Sequence, residues 1–221
     1  MVTGASRGIG RATAVAFARR GLRVALLGHP GEALDEATRA TGAEARSFAC
    51  DVAREEEVAR AARAVLESLG TPAAVINNAG IVRRGPKVHQ TSPHDWDEVV
   101  AVNLRGPFLV SRAFLPSMLA EGRGRLVHVA SISATLGSPG AASYAASKWG
   151  LVGLAKSLAE ELRGTGLQSI AVLPGSVDTD MLAGSGFEPR MSAADVASLI
   201  VHAALDAPDA LNGSAVEMFG P

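Results

Sequence analysis

The chain has 221 residues, a formal net charge of −1 and a mean hydropathy of +0.20. It is therefore one large domain or two small ones, with no charge argument for nucleic acid or an anionic membrane as a partner. No apolar run reaches the roughly 18 residues of a transmembrane helix, and Met1-Val2-Thr3-Gly4 is not a signal peptide. Cys50 is the one cysteine, which excludes an internal disulfide and a cysteine zinc cage, and the five histidines lack close ligand spacing. A reducing, cytoplasmic setting and no bound metal are expected.

Hydrophobic residues make up 48% of the chain and aromatics only 4%, so Ala, Val, Leu and Ile must build the core. In chain order, a strand of only Met1 and Val2 leads into a loop with glycines at 4, 8 and 10. Either its neighbours hold this stub, or the chain begins late relative to a longer product. An Ala-rich helix at 9–20 follows and stops at Gly21, a C-terminal cap. Apolar runs at 22–27, 73–76, 125–130, 169–173 and 215–219 read as buried strands. Between them, helices are expected at 31–40, 55–69, 95–103, 107–121, 141–162 and 192–207. Asp51 is placed to cap the approach to the helix at 55–69, and Ser192 with Asp195 caps the last one. Pro116 is expected to kink or shorten its helix. Strands alternating with helices require a parallel sheet, and nothing divides the chain. One doubly wound α/β domain over residues 1–221 is the expected fold.

Tyr144 and Lys148 are four apart, one turn along one face of the helix at 141–162. An ammonium beside a phenol favours phenolate and is expected to lower a pKa of about 10. The pair can then trade a proton with a substrate oxygen. Tyr144 is the chain's single tyrosine, and Ser131, 13 residues upstream at the end of an apolar run, offers a hydroxyl to the same oxygen. Ser133 is its rival.

The loop at 3–10 permits a tight turn and close backbone approach to a pyrophosphate, and the helix behind it offers free amides to the anion. The strand ending Leu26-Leu27-Gly28-His29 lacks the acid that would bind a ribose 2′-hydroxyl. Arg7 and His29 are the groups that can reach a 2′-phosphate. NADP(H) is therefore expected over NAD(H), which stays possible.

Together these residues resemble the short-chain dehydrogenase/reductase family, over nearly the whole chain. Thr3 to Gly10 is similar to its TGxxxGxG loop, and Asp51-Val52 to its adenine-contacting pair. Asn77-Asn78-Ala79-Gly80 matches its NNAG motif. Asn103 sits where the family keeps a helix-kinking Asn. Ser131, Tyr144 and Lys148 fall on its Ser-Tyr-xxx-Lys constellation. Residues 174–179 are similar to its PGxVxT segment at the nicotinamide end.

The resemblance implies a catalytic set of Asn103, Ser131, Tyr144 and Lys148. It implies a cofactor site of Gly4, Ser6, Arg7, Gly8, Ile9, Gly10, His29, Asp51, Val52, Asn78, Ala79, Gly80, Tyr144, Lys148, Pro174, Gly175, Val177 and Thr179. Tyr144 would give or take the proton, with Lys148 lowering its pKa and bonding the nicotinamide ribose. Ser131 would donate to the substrate oxygen, and Asn103 would hold a water linking Lys148 to solvent. The implied substrate is a small carbonyl or alcohol, with 3-oxoacyl thioesters as the nearest class. Sugars or polyols, and a non-catalytic NADP-binding sensor, are the alternatives. A homodimer or homotetramer through the helices at 107–121 and 143–162 is implied as well. Trp96 and Trp149 read as packing residues. Arg83, Arg84 and Lys87 are either a solvated face or a landing for an anionic carrier. Residues 181–191 are too few for a large substrate lid.

Overall fold

A computed structural model describes residues 1–137 and 139–221. Seven parallel strands form one sheet in the order β3-β2-β1-β4-β5-β6-β7. They are β1 (Val2–Thr3), β2 (Val24–Gly28), β3 (Ala45–Ala49), β4 (Ala74–Asn77), β5 (Gly124–Val129), β6 (Leu167–Pro174) and β7 (Ala215–Met218). The helices are α1 (Gly8–Arg19), α2 (Glu32–Thr41), α3 (Glu55–Leu69), α4 (Pro93–Val100), α5 (Gly106–Glu121), α6 (Ala142–Glu161) and α7 (Ala193–Val201).

The two-residue β1 is held on both sides. Val2 pairs with Leu26 of β2 and Ile76 of β4, and the Ile76 amide donates to the Met1 carbonyl at 2.9 Å. Period-2 alternation splits the strands between two cores. Val2, Leu26, Ile76, Val127 and Ile170 pack on α1 and α7 through Phe17, Val196 and Ile200. Leu27, Val75 and Leu126 pack on α3 and α5 through Val58, Val65, Phe114 and Met118. Strand order reverses between β1 and β4, so the loops after β1, β4, β5 and β6 open into one crevice.

Several expectations need correction. β3 was not anticipated: Arg46 and Ser47 are exposed on this edge strand, so its sequence lacks an apolar run. The helices expected at 95–103 and 107–121 are continuous, joined by a π turn at Ala101–Arg105 that contains Asn103. Pro116 does not end α5. It lies on the exposed side, where solvent can reach the carbonyl deprived of its helical donor. Asp51 does not cap α3. It turns back on the Ala53 amide, while Glu57 accepts from the Asp51 amide at 2.9 Å. Ser192 and Asp195 do form a reciprocal cap on α7. Trp96 and Trp149 stand 38% and 55% exposed, so neither is a core packing residue.

Beneath α5 lies a fully buried polar group. Asn77 Nδ2 is 3.2 Å from Ser111 Oγ and 3.3 Å from His128 Nδ1, and the imidazole Nε2 finds no partner among the described residues. Burial pushes the His128 pKa down to about 4, because a charge here would lose its hydration without gaining a counter-ion. The unfolded chain takes up this proton near pH 6.5 and the folded chain only near pH 4. Stability from neutral His128 is therefore present above about pH 6.5 and lost as pH falls toward 4, by about 3 kcal/mol in all. Urea unfolding of the parent and of His128→Asn at pH 7 and pH 4.5 should show a shallower acid loss in the variant.

Candidate active site

The crevice is built on a clasp between the loop after β1 and the end of β4. Thr3 Oγ1 donates to the Ile76 carbonyl at 3.2 Å and accepts from the amides of Asn78 and Ala79, both at 3.0 Å. Asn78 Nδ2 returns bonds to the carbonyls of Thr3 and Gly4 at 2.9 and 3.2 Å. Two loop glycines are required by this closeness rather than by a ligand. A Cβ on Gly4, at φ +61°, would stand 2.8 Å from the Ala79 Cα. One on Gly10 would collide with the Gly4 carbonyl. Gly8 has φ +52° and faces the Thr179 methyl, so the segment after β6 meets the loop after β1. Thr3 is absent from the expected site residues, though its place in the TGxxxGxG match marked it.

The loop fits a pyrophosphate. α1 begins at Gly8 with no side-chain cap, so its first-turn amides are left for an anion. Ser6 and Ile9 are half-buried along it. Arg7, expected to reach a ribose phosphate, instead bonds Asp180 at 3.0 Å, with both side chains 75% exposed. His29 lies exposed past the end of β2, and a side chain on Gly28 would touch only Leu34 and the Ala5 amide. Val52 is buried against Gly106, and Asp51 is half-buried in its turn.

The far wall carries the candidate chemistry. α6 brings up Tyr144 and Lys148, 9% and 3% exposed. Lys148 Nζ donates to the Val129 carbonyl at the end of β5, at 2.8 Å, and lies 5.7 Å from the Tyr144 ring centre. Asn103, wholly buried in the π turn, clamps Ile81. Its Oδ1 accepts from the Ile81 amide and its Nδ2 donates to the Ile81 carbonyl, both at 2.8 Å. The second Nδ2 proton goes to Ser147 Oγ at 3.1 Å. A Cβ on Gly80 would sit 3.3 Å from Asn103 Oδ1 and 3.5 Å from Lys148 Nζ. The NNAG glycine thus opens the space both groups face. Ser131 closes β5, and its Oγ accepts from the Ser133 amide at 3.1 Å. Ser133 serves Ser131 through its backbone.

Electrostatics correct one expectation. The Tyr144 phenol is pushed up, not down, because burial outweighs every other influence. The Ser131 hydroxyl and the Arg84 charge oppose it more weakly. Ser131 lies close enough to bias the phenol, though no hydrogen bond of ordinary geometry joins them. Lys148 is itself pushed down to about 8 by burial, and its nearest bond is to a carbonyl rather than to the phenol. Val99, Ala141, Ile81, Val82 and Met181 surround Tyr144 with apolar groups, and the Met181 sulfur lies 4.0 Å from its hydroxyl. Pro174 is buried and Gly175 half-buried at the end of β6, and Val177 bridges to Met191 beyond them.

The structure brings Gly4, Gly8, Gly10, Asn78, Ala79 and Thr179 to one side of this crevice, with Gly80 between them and the groups opposite. Asn103, Ser131, Tyr144 and Lys148 form the other. Among the described residues, neither His29 nor Asp51 has a side-chain hydrogen bond to any of these groups.

Comparison with known proteins gives the family and the fold. The short chain dehydrogenase family model matches residues 1–188. A 2-(R)-hydroxypropyl-CoM dehydrogenase from Xanthobacter autotrophicus is 35% identical over 240 positions, spanning 100% of this chain and 96% of the relative. A 3-oxoacyl-(acyl-carrier-protein) reductase from Synechocystis is 36% identical over 193 positions, 86% of this chain and 78% of the relative. Among solved structures, levodione reductase superposes with a TM-score of 0.93 at 29% identity, covering 99% of this chain and 94% of that one. The 3-ketoacyl-(acyl-carrier-protein) reductase of Brucella melitensis, complexed with NADH, gives 0.93 at 26% identity, covering 98% and 94%.

Because a Gly10 side chain would strike backbone, Gly10→Ala is expected to cost about 1–3 kcal/mol and to weaken dinucleotide binding at least tenfold. Urea unfolding and NADPH fluorescence titration read the two effects separately.

Proposed function

The chain belongs to the short-chain dehydrogenase/reductase family, and we infer that it is an NADPH-linked reductase of a 3-oxoacyl thioester or small ketone, run in reverse as an alcohol dehydrogenase. It is an oxidoreductase of the CH–OH/C=O class that uses a nicotinamide cofactor. What supports the finer reading most is the meeting of Tyr144, Lys148 and Ser131 at the crevice where the loops after β1, β4 and β6 converge.

The nicotinamide ring supplies the hydride in reduction and takes it back in oxidation. The protein's part is position and proton. Ser131 Oγ would donate a hydrogen bond to the substrate oxygen and fix the carbonyl's orientation. Tyr144 Oη would give its proton to that oxygen, the protein's share in turning a ketone into a secondary alcohol. The raised phenol pKa suits this direction, since the group is protonated at neutral pH. Lys148 is an ammonium below about pH 8, and its charge stabilises the phenolate left behind. Asn103 is a positioning residue, because both Nδ2 protons are committed. One Oδ1 lone pair remains for a water facing Lys148. Gly4, Gly8 and Gly10 with the first amides of α1 would hold the pyrophosphate. Asn78 to Gly80 and Pro174 to Thr179 would line the nicotinamide end.

The apolar surroundings of Tyr144 favour a ketone or acyl chain over a polyol. The missing acid after Gly28 favours NADPH, with Arg7 as the cation for the 2′-phosphate. Its bond to Asp180 is largely exposed and contributes little, so a phosphate can exchange for the carboxylate. NADH use remains within the family, as the Brucella complex shows for that protein. A homodimer or homotetramer is supported by the half-exposed Phe108 and Leu119 of α5, which line a groove with Leu154 of α6. A cytoplasmic setting is supported by the free Cys50. Among the described residues no helix is long and apolar enough to cross a membrane.

Tyr144→Phe should keep NADPH affinity in fluorescence titration and lose about 10²–10⁴-fold in kcat for ketone reduction. Parent-like turnover would remove the proton-donor role. In steady-state assays kcat/KM should favour NADPH over NADH at least tenfold, and Arg7→Ala should erase that preference. A preference that survives in Arg7→Ala would place the 2′-phosphate elsewhere.

A further inference from the structure

One charged group at the crevice has no part in the reading above. Arg84 lies exposed on the loop after β4. Its Nη1 donates to the Met181 carbonyl at 2.7 Å, and the sulfur of the same Met181 lies 4.0 Å from the Tyr144 hydroxyl. The guanidinium is thus joined through one residue to the phenol where the substrate oxygen must arrive.

The acids around it are already taken. Arg83, next in the chain, is paired with Glu98 at 2.7 Å and Asp95 at 3.9 Å. Asp180, beside Met181, is paired with Arg7. Among the described residues no carboxylate pairs with Arg84 within 4.0 Å, whereas its neighbour has two. Met181, Ile81 and Val82 around the phenol are apolar and offer no counter-charge. Arg84 stays charged at any working pH and has five N–H donors, of which the Met181 carbonyl takes one. Tyr144 already feels this charge, which pulls its pKa down against burial.

We propose that Arg84 is a specificity residue that binds an anionic head group, of the carboxylate class, carried on the carbonyl substrate a short chain away from the reacting C=O. A planar fork of donors suits two carboxylate oxygens at once. Four free N–H groups let it do so without releasing Met181. The apolar wall would take the intervening carbon chain while Tyr144 and Ser131 take the carbonyl oxygen. Arg83, neutralised by two acids, has no such part. The assignment rests on carbonyl reduction with Tyr144 as the proton donor, as set out above.

The test uses the full chain with NADPH and matched methyl ketones, as free carboxylates of increasing chain length and as their methyl esters. At one length or more the carboxylate should be preferred at least tenfold in kcat/KM, with the difference in KM. Added salt should erode that preference in the parent protein. Arg84→Gln should abolish it, Arg84→Lys should retain part of it, and Arg83→Gln should leave it intact. Salt dependence in the parent keeps the test valid should Arg84→Gln fail to fold. Equal reduction of acids and esters at every length, or a preference that persists in Arg84→Gln, would overturn the Arg84 assignment and leave the chemistry at Tyr144 standing. No reduction of either series by the NADPH-bound protein would overturn both.

Discussion

The bond between Thr3 and the β4 end governs the architecture of this site. One hydroxyl satisfies two amides and a carbonyl of β4, and Asn78 answers with two bonds to the loop after β1. These strands are neighbours at the point where the sheet order reverses, so their ends would otherwise splay into a cleft with unpaired backbone groups. Closing them needs backbone-to-backbone contact, and Gly4 and Gly10 have no side chain to prevent it. The glycine turn ahead of α1 therefore follows from how tightly two strands are joined.

The second constraint is burial of charge. Lys148 is almost wholly enclosed, and its ammonium is met by a carbonyl rather than a carboxylate. Its pKa therefore falls toward working pH instead of rising. Tyr144 responds to the same enclosure in the opposite direction, because for a phenol the charged form is the deprotonated one. One dry pocket thus moves the two groups apart in pKa, the ammonium down to about 8 and the phenol above its ordinary value. The separation comes from desolvation, and it leaves a protonated phenol at neutral pH beside a lysine that loses its proton near pH 8.

The π turn at Ala101–Arg105 couples these two features. An extra residue in the helical turn directs Asn103 inward, where its amide clamps Ile81 and bonds Ser147 on α6. The loop after β4, which carries the NNAG glycine and then Arg84, is thereby tied to the helix that carries Tyr144. Met181 approaches from the segment after β6 and is held by Arg84. Two loops remote in sequence meet at one hydroxyl on α6.

The sequence by itself determined most of the strand and helix sites and the tight turn at the loop glycines, because apolar periodicity and glycine placement are local properties. It also marked Ser131, Tyr144, Lys148 and Asn103 through spacing and resemblance. It did not reveal β3, since an exposed edge strand buries too little to need an apolar run. Nor could it show that α4 and α5 are one helix, because the break in period there is a single inserted residue. Only the tertiary structure decided that Arg7 meets Asp180, that Arg83 is neutralised while Arg84 is not, and that burial raises the Tyr144 pKa. These outcomes depend on which groups the fold brings within a few ångströms and how much water it removes, and neither is encoded in the spacing of residues along the chain.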